Sequence, residues 1–310
     1  MRVVRFGVLA LILACVALWI WAHEPDSSAL RAELSAHAEK EGLALACFYS
    51  IPATLTRFEP GDAVVLWLRT SELGFGSVAP DGKHLFVRGA SPSAFSGLEA
   101  LDGTPILAVA YEKLVPTYRF EVSPDLRRVA LCRYGESVIL VDLSAPTMPE
   151  IRLADDRLHR ADFIGWSPTS SQIVFEYEQA VYIYDLAQGR NRRIASGARP
   201  VWSPDGAWIA FRSLQGEAMI IKPEGRSGRR IISGKIANGF VWSPDSRYLL
   251  FAKEYRIQIP LGAPGYLGAY RLSDGKRCKL VECSFKGMCT PEAFSWVRDY
   301  RQILRRFQRI

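Results

Sequence analysis

A short motif recurs along this chain and constrains its fold more than any other feature of the sequence. Its fullest copy is Trp202-Ser203-Pro204-Asp205-Gly206, and an apolar segment follows it. Pro204 fixes φ at a value that suits a tight turn, Asp205 can accept hydrogen bonds from nearby backbone N–H groups, and Gly206 tolerates a positive φ. The motif therefore predicts a strand, a tight turn and a second strand.

Further copies of this motif keep the same internal spacing. They begin at Val78, Val122, Trp166 and Trp242, with a weaker copy at Trp296. The turn position carries an acid in most copies and a threonine in one, at residues 81, 125, 169, 205, 245 and 299. Successive copies thus lie about 40 residues apart, and a period of that length with four short strands in each unit indicates a β-propeller.

The repeat resembles that of the TolB-type propellers, which are bacterial relatives in shape of the WD-repeat propellers. The resemblance extends over residues 43–310 and implies an exported bacterial propeller of four-stranded blades. It does not imply the role of TolB itself, because that protein carries an extra domain before its propeller. We therefore expect an all-β fold and leave the function open at this point.

The two ends of the repeat region are expected to complete each other. Two strand-like segments, residues 43–50 and 63–69, precede the first turn motif, whereas residues 294–296 and 302–305 follow the last complete repeat. Neither end has a full set of four strands. We predict that the ends share one blade, because closure leaves no open sheet edge. The prediction is a six-bladed propeller over residues 43–310.

The first 22 residues are typical of a targeting element. Arg2 and Arg5 precede an apolar segment at residues 6–22. This pattern favours an uncleaved signal-anchor that tethers a periplasmic propeller to the inner membrane, with the positive end inside. A cleaved signal peptide, which leaves a soluble periplasmic or secreted product, is the alternative. A third interpretation is lipoprotein processing at Cys15, which the apolar residues after Cys15 disfavour.

The linker at residues 23–42 is predicted to contain a short helix. Ser27 or a neighbour can cap its start, Gly42 can end it, and Leu30, Leu34 and Ala38 fall on one face. We expect this helix to space the propeller from the membrane, a frayed linker being the alternative. The chain of 310 residues is thus one domain plus an anchor.

The cysteines allow two interpretations. Cys278, Cys283 and Cys289 are clustered, which favours a local disulfide, although three unpaired thiols are the alternative. Cys47 and Cys132 lie in apolar strand patterns and are expected in the core. The chain has 4 histidines, none near the cysteine cluster, so the sequence predicts neither a metal site nor a cofactor.

The sequence contains no catalytic signature that we can identify. It has no Gly-x-Ser-x-Gly motif, no phosphate-binding glycine loop and no dinucleotide fingerprint. The repeated acids and tryptophans are interpreted as structural because one task in each blade explains all of them, namely Asp81, Asp125, Asp205, Asp245, Trp166, Trp202, Trp242 and Trp296. We predict that the chain is not an enzyme, the alternative being a catalytic site in the central channel.

Two groups of residues are predicted to bind partners. The first lies where the inner strands begin, at the mouth of the channel, and comprises Tyr118, Arg119, His159, Arg160, Asp162, Arg199, Asn238 and Glu292. The second, the basic rim, lies in turns and outer strands and comprises Arg190, Arg192, Arg193, Lys222, Arg226, Arg229, Arg230, Lys276, Arg277 and Lys279.

These groups support a predicted function. The leading prediction is a non-enzymatic scaffold that engages another cell-envelope protein through the channel mouth. The alternative is an anionic glycan or envelope polymer bound by the basic rim. The formal charge of +7 agrees with an anionic partner, but the chain lacks the basic helix or stacking surface that nucleic acid requires.

Overall fold

The fold is a β-propeller, seen in a computed structural model that describes residues 27–49, 65–69, 75–89, 91–115, 117–133, 138–153, 164–254, 265–283, 294–299 and 302. Five sheets each contain four antiparallel strands in sequence order, which makes five complete blades. The first motif position ends the innermost strand of a blade, and the residues after the turn begin the second strand. The repeat therefore corresponds to one blade.

The blades are numbered along the chain. The strands of blade 1 are β3 (Phe75–Val78), β4 (His84–Arg88), β5 (Gly97–Ala100) and β6 (Pro105–Ala108), and a 3-10 helix at Tyr111–Leu114 follows. Those of blade 2 are β7 (Thr117–Val122), β8 (Arg128–Arg133), β9 (Ile139–Asp142) and β10 (Glu150–Arg152). Those of blade 3 are β11 (Ile164–Trp166), β12 (Gln172–Tyr177), β13 (Ala180–Asp185) and β14 (Arg190–Ser196).

The last two blades are built in the same way. The strands of blade 4 are β15 (Ala198–Trp202), β16 (Ile209–Arg212), β17 (Ala218–Ile221) and β18 (Arg229–Ile232). Those of blade 5 are β19 (Ile236–Trp242), β20 (Tyr248–Glu254), β21 (Gly265–Arg271) and β22 (Arg277–Cys283). Buried apolar clusters lie between successive blades, so the core is divided into layers rather than gathered at one centre.

The prediction of six four-stranded blades is wrong, because the structure shows five. The chain ends form a three-stranded sheet, here called the closing sheet, from β1 (Leu43–Tyr49), β2 (Val65–Arg69) and β23 (Phe294–Arg298). β1 pairs antiparallel with β23 but parallel with β2. A parallel pair needs a crossover connection, so this sheet is not the meander of a regular blade. The predicted strand at 302–305 lies outside the described residues, residue 302 apart.

In blades 2 to 5 the turn motif is held by a buried serine, whereas blade 1 has Ala79 at this position. In blade 4 the Ser203 hydroxyl donates to Asp205 Oδ1 at 2.6 Å and accepts from the Trp208 N–H at 2.9 Å. Ser123 and Ser243 make the same two bonds in blades 2 and 5. A buried hydroxyl is costly unless it is hydrogen-bonded, and here it bonds both the turn and the start of the second strand.

Asp125 illustrates the electrostatics of these turns. Burial raises the pKa of its carboxyl, but hydrogen bonds from Ser123, the Arg127 N–H and Ser170 and the charge of Arg128 together lower that pKa by more, so the net shift is downward. In blade 3, Thr169 replaces the acid, and its hydroxyl lies 3.2 Å from the Ser167 hydroxyl. The turn thus needs an acceptor for the serine rather than a charge as such.

Two seams between blades are joined by a matched pair of hydrogen bonds, and we call them latched seams. Between blades 2 and 3, Trp166 Nε1 donates to the Glu121 carbonyl at 2.9 Å, and the Asp125 N–H donates to Ser170 Oγ at 3.1 Å. Between blades 4 and 5, Trp242 Nε1 donates to the Val201 carbonyl at 3.3 Å, and the Asp205 N–H donates to Ser246 Oγ at 2.9 Å. Both acceptor serines have a positive φ, near +58°.

The seam between blades 3 and 4 lacks this pair. Gly206 occupies the position of the acceptor serine, and a Cβ there would lie 3.7 Å from Pro168. Trp202 Nε1 instead donates to the Gly206 carbonyl of its own turn at 3.4 Å. Apolar packing joins this seam through a cluster in which Trp202 lies with residues of both blades, and two hydrogen bonds of another kind cross it, from Arg192 to the Pro223 carbonyl and from the Arg199 N–H to Glu176.

The predicted linker helix is α1 (Ser28–Lys40), and it packs on the propeller, while its role as a spacer from the membrane stays a prediction. Ser27 caps the helix by accepting a hydrogen bond from the Leu30 N–H at 3.2 Å. The apolar face is buried, and it joins a cluster from blade 5 and the closing sheet that comprises Leu30, Leu34, Ala38, Leu43, Tyr248, Leu250, Leu267, Ala269, Cys278, Leu280 and Trp296.

Polar contacts fix the position of α1 on blade 5. The Tyr248 hydroxyl donates to Glu33 Oε1 at 2.9 Å, and Arg271 forms an ion pair with the same carboxylate. His37 Nε2 lies 2.9 Å from Asp245 Oδ2, in the turn of blade 5. The bond from Arg271, followed by that from Tyr248, lowers the pKa of Glu33, which burial opposes only in part.

Several predictions fall on residues beyond this description. The signal-anchor at residues 1–22 lies outside the described residues, and none of the helices that are described is long and apolar enough to cross a membrane. Cys132 and Cys278 are buried, and the predicted local disulfide among Cys278, Cys283 and Cys289 stays a prediction. Cys289 lies outside the described residues.

Replacing Trp202 with Ala should destabilise the propeller by about 3–5 kcal/mol, because a large side chain is removed from a packed seam that no latch supports. Replacing Asp205 with Ala should cost about 1 kcal/mol, from the lost acceptor of the Ser203 hydroxyl. Urea unfolding followed by circular dichroism measures both. A larger effect from Asp205→Ala would contradict the structural role of the turn acids.

Replacing Glu33 with Gln should lower the urea midpoint at neutral pH and remove part of the acid sensitivity. The pKa of Glu33 is lower in the folded protein than in the unfolded chain, so its contribution is fully present above the unfolded pKa and is lost as pH falls through the folded pKa. The midpoints of the two proteins should therefore converge as the pH falls through the lowered pKa of Glu33. Glu39→Gln, at an exposed position of the same helix, should give parallel curves.

Candidate functional site

The central channel forms a cavity of about 500 Å³ among the described residues. Its wall is formed by β3, β7, β11, β15, β19 and β23, the innermost strands of the five blades and of the closing sheet. The residue just before the first motif position lies in the wall in every case, namely Ser77, Glu121, Gly165, Val201, Val241 and Ser295. The repeat thus places one residue from each sheet around the channel.

The channel has two unlike mouths. The turn motifs surround one mouth, which we call the turn face, and their prolines line it at positions 80, 124, 168, 204 and 244. The innermost strands begin at the other mouth, which we call the entry face. Arg119 and Arg199 lie in the channel wall near the entry face, three residues before the first motif position of their blades.

The entry face is marked by irregular strands. The pairing of β7 with β8 shifts register between Thr117 and Arg119, and that of β15 with β16 shifts between Ala198 and Val201. β19 shifts against β20 between Ala237 and Phe240. These shifts coincide with the predicted positions Tyr118–Arg119, Arg199 and Asn238. A bulge changes the direction of a side chain and interrupts strand pairing, and bulges are frequent next to functional sites.

The charged groups in this part of the wall are held in place. Arg119 Nη2 lies 2.9 Å from Glu121 Oε1, and both side chains are about a quarter exposed. Arg199 has a φ of +56°, a costly conformation for a residue with a Cβ. Its backbone N–H donates to Glu176 Oε2 at 2.8 Å, which supports the strained backbone from the neighbouring blade.

The structure describes only some of the predicted mouth residues. His159, Arg160, Asp162 and Glu292 lie outside the described residues. Tyr118 and Asn238 are described as backbone positions on β7 and β19. Sequence reasoning missed Glu121, although its position directly before the motif, on the same strand face as Arg119, was the signal available.

Trp296 differs from the tryptophans of the latched seams. It lines the channel and is 7% exposed, and among the described residues its Nε1 has no hydrogen-bond partner. Trp166 and Trp242 donate from the same atom to a carbonyl of the preceding blade. The channel wall beside the closing sheet therefore carries a buried donor.

The basic rim lies on the turn face and along the outer strands. Arg190, Arg229 and Arg277 begin the outer strands β14, β18 and β22. Lys222 and Arg229 approach the ring of Trp208, at 5.9 and 5.6 Å from its centroid. Two other members have ion pairs, Arg230 with Glu217 at 2.9 Å and Lys276 with Asp274 at 3.8 Å. Arg192 donates to the Pro223 carbonyl of blade 4 at 2.5 Å.

Of the comparisons with known proteins, the comparison with solved structures gives matches. No protein-family model and no curated protein matches the chain. Among solved structures, a candidate TolB from Agrobacterium tumefaciens is 20% identical, with a TM-score of 0.48, over 67% of this chain and 79% of that protein. An oligogalacturonate lyase in complex with manganese is 16% identical, with a TM-score of 0.48, over 66% and 64% of the two chains.

A further match is an oligogalacturonate lyase from Vibrio parahaemolyticus, 14% identical with a TM-score of 0.51, over 68% of this chain and 65% of that one. The chain thus spans slightly less than two thirds of each lyase. Identities this low show the fold alone. Together with the five blades, the TM-score of 0.51 to the Vibrio parahaemolyticus structure confirms the predicted β-propeller fold.

The prediction that the chain is not an enzyme is corrected by this comparison. The lyase from Vibrio parahaemolyticus is an enzyme with the same propeller fold. The fold and the lack of familiar motifs therefore do not exclude catalysis. Within the described residues, no group of three or more His, Cys, Asp or Glu side chains is arranged to hold a metal ion.

Arg199 offers a test of backbone strain in the channel wall. Arg199→Gly should be more stable than Arg199→Ala by about 1 kcal/mol, because glycine adopts a positive φ without a Cβ clash. At Arg212, which ends β16 with an ordinary φ, the order should be reversed, since glycine costs about 0.5–1 kcal/mol relative to alanine inside a strand. Urea unfolding of the four variants gives both differences, and equal stability at position 199 would refute the strain.

Proposed function

We propose that this propeller binds a segment of another cell-envelope protein through the entry face of its central channel. The observation that carries the proposal is the set of three β-bulges, in β7, β15 and β19, at the level of Tyr118–Arg119, Arg199 and Asn238. A bulge leaves a residue outside the regular pairing and re-aims it. Three of the strands that form the channel wall thus depart from regular strand pairing at the same mouth.

The chemistry of this mouth favours a segment that carries acidic groups. Arg119 and Arg199 bring guanidinium groups, which present planar sets of donors that match carboxylates. The channel volume of about 500 Å³ accommodates a loop or a chain end rather than a folded domain. In this proposal Tyr118, Asn238, His159, Arg160, Asp162 and Glu292 complete the contact surface.

The cellular location is part of the proposal. The charge pattern at residues 1–22 supports export to the periplasm of a bacterial cell, with residues 6–22 as an anchor in the inner membrane. The partner is then a protein with a segment exposed in the same compartment. The basic rim lies on the opposite side of the propeller from the entry face and takes no part in this contact.

Photo-crosslinking from blade 2 tests the proposal. A photoreactive phenylalanine analogue at Tyr118, on the innermost strand, should yield a defined adduct with a partner protein in cells. The same analogue at Ile151, which is 45% exposed on the outermost strand β10, should not. With the partner identified, Arg119→Gln combined with Arg199→Gln should weaken binding roughly 30-fold, as expected when interface arginines are truncated.

Two results would count against the proposal. Equal adducts from positions 118 and 151 would mean that the channel mouth is not the contact. Unchanged affinity of the double arginine variant, with an unchanged unfolding midpoint, would remove the guanidinium groups from the binding surface.

A further inference from the structure

Three neighbouring blades present an arginine at the same place on the turn face. Arg190, Arg229 and Arg277 are the first residues of β14, β18 and β22, directly after the turn that follows the third strand. In a four-stranded meander this turn lies on the same side as the turn after the first strand. The three arginines therefore form one row along the outer edge of the turn face.

The turns before these strands add further positive charge. Lys222 and Arg226 lie in the turn before β18, Lys276 lies directly before β22, and all three are exposed. Neither Arg226 nor Arg229 forms an ion pair with a carboxylate of the described residues. Glu224, in the same turn, is an exposed carboxylate that the surrounding cations outnumber.

Other acids of this edge are already engaged. Asp185 accepts hydrogen bonds from the Gln172 amide at 2.9 Å and from the Ala187 and Gln188 N–H groups. Asp274 is paired with Arg271, whose Nη2 lies 2.6 Å from Asp274 Oδ2. The edge thus presents an excess of positive charge to solvent, which is attractive to anions over about a Debye length.

The start of α1 lies on the same edge. The Ser27 N–H donates to the Arg277 carbonyl at 3.0 Å, so the helix begins beside the last arginine of the row. Residues 23–26 separate Ser27 from the apolar segment that ends at Ala22. An extended chain of that length reaches roughly 17 Å. If residues 6–22 lie in a membrane, this edge is therefore held close to its surface.

We propose that the turn-face edge of blades 3–5 docks on a bilayer that contains anionic lipids, beside the anchor. The inference rests on residues 6–22 being a membrane anchor and is independent of the channel partner. Basic residues next to a membrane segment bind anionic headgroups, and the amphipathic ring of Trp208, between Lys222 and Arg229, suits the interface. Docking in this orientation turns the entry face away from the bilayer.

Amine labelling of the full chain in lipid nanodiscs tests this docking. Lys222 and Lys276 lie on the turn face, whereas Lys235 and Lys253 lie at the entry-face end of blade 5 and serve as the internal reference. Acylation of the first pair, followed by mass spectrometry, should be several-fold slower in discs that contain phosphatidylglycerol than in phosphatidylcholine discs. High salt should abolish the difference, and the reference pair should not respond to lipid charge.

A charge-matched pair of variants makes the test specific. Arg190→Gln combined with Arg229→Gln should abolish the protection of Lys222 and Lys276, because it removes two members of the row. Lys235→Gln combined with Lys253→Gln removes the same charge from the opposite face and should leave that protection intact.

Three outcomes would overturn the proposal. The first is equal labelling in the two kinds of disc. The second is elution of the chain apart from the discs, which would remove the anchor on which the docking rests. The third is equal protection in neutral discs after addition of a soluble anionic polysaccharide, which would assign the edge to a glycan instead.

Discussion

The buried serine of the turn motif is the contact on which the rest of the propeller depends. Ser203 lies inside the protein, where a hydroxyl must be hydrogen-bonded, and both of its bonds go to fixed points of the same turn. One bond orients the acid at the turn and the other fixes the first residue of the second strand. Because a buried serine recurs at this position in blades 2 to 5, the innermost strands of these blades end at the same level and form a regular part of the channel wall.

The seams between the blades are less uniform than the blades themselves. Seams 2–3 and 4–5 have an indole-to-carbonyl bond and an N–H-to-serine bond, whereas the seam between blades 3 and 4 has Gly206 where the serine would be. A hydrogen bond in a dry seam is directional and fixes the angle between two blades, but apolar packing tolerates small rotations. The seam between blades 3 and 4 is bridged differently, by hydrogen bonds from the Arg192 side chain to the Pro223 carbonyl and from the Arg199 N–H to Glu176.

The sequence predicts the repeat well because the repeat is local. One turn sets the number of residues between Trp202 and Ile209, and the same spacing recurs in every blade. The docking of α1 could not be predicted in this way. The stripe of Leu30, Leu34 and Ala38 indicates a buried face, but its surroundings come from residues such as Tyr248, whose hydroxyl bonds Glu33 across 215 positions of sequence. The parallel pairing of β1 with β2 in the closing sheet could likewise not be predicted, because it too is not a local feature of the sequence.

The candidate site also has one part that the sequence predicts and another that it does not. The placement of Glu121 before the motif follows from strand alternation, so the wall of the channel could be derived from the repeat. The bulges at Arg119, Arg199 and Asn238 could not, because an arginine gives no sequence signal for a positive φ, whereas a glycine does. Irregular backbone at a mouth is thus visible only once the register of the strands is known.

The way in which α1 lies on blade 5 also decides how the protein responds to mechanical load. A pull on the N-terminal side reaches Ser27 first, at the outer edge of β22, and then the side-chain contacts of Glu33 and His37. Only after these contacts separate does the load reach β1, which is hydrogen-bonded to β23 along its length. The helix therefore lies in series between the N-terminal side and the strands that close the ring, and both its ion pairs and its buried apolar face must separate before those strands bear load.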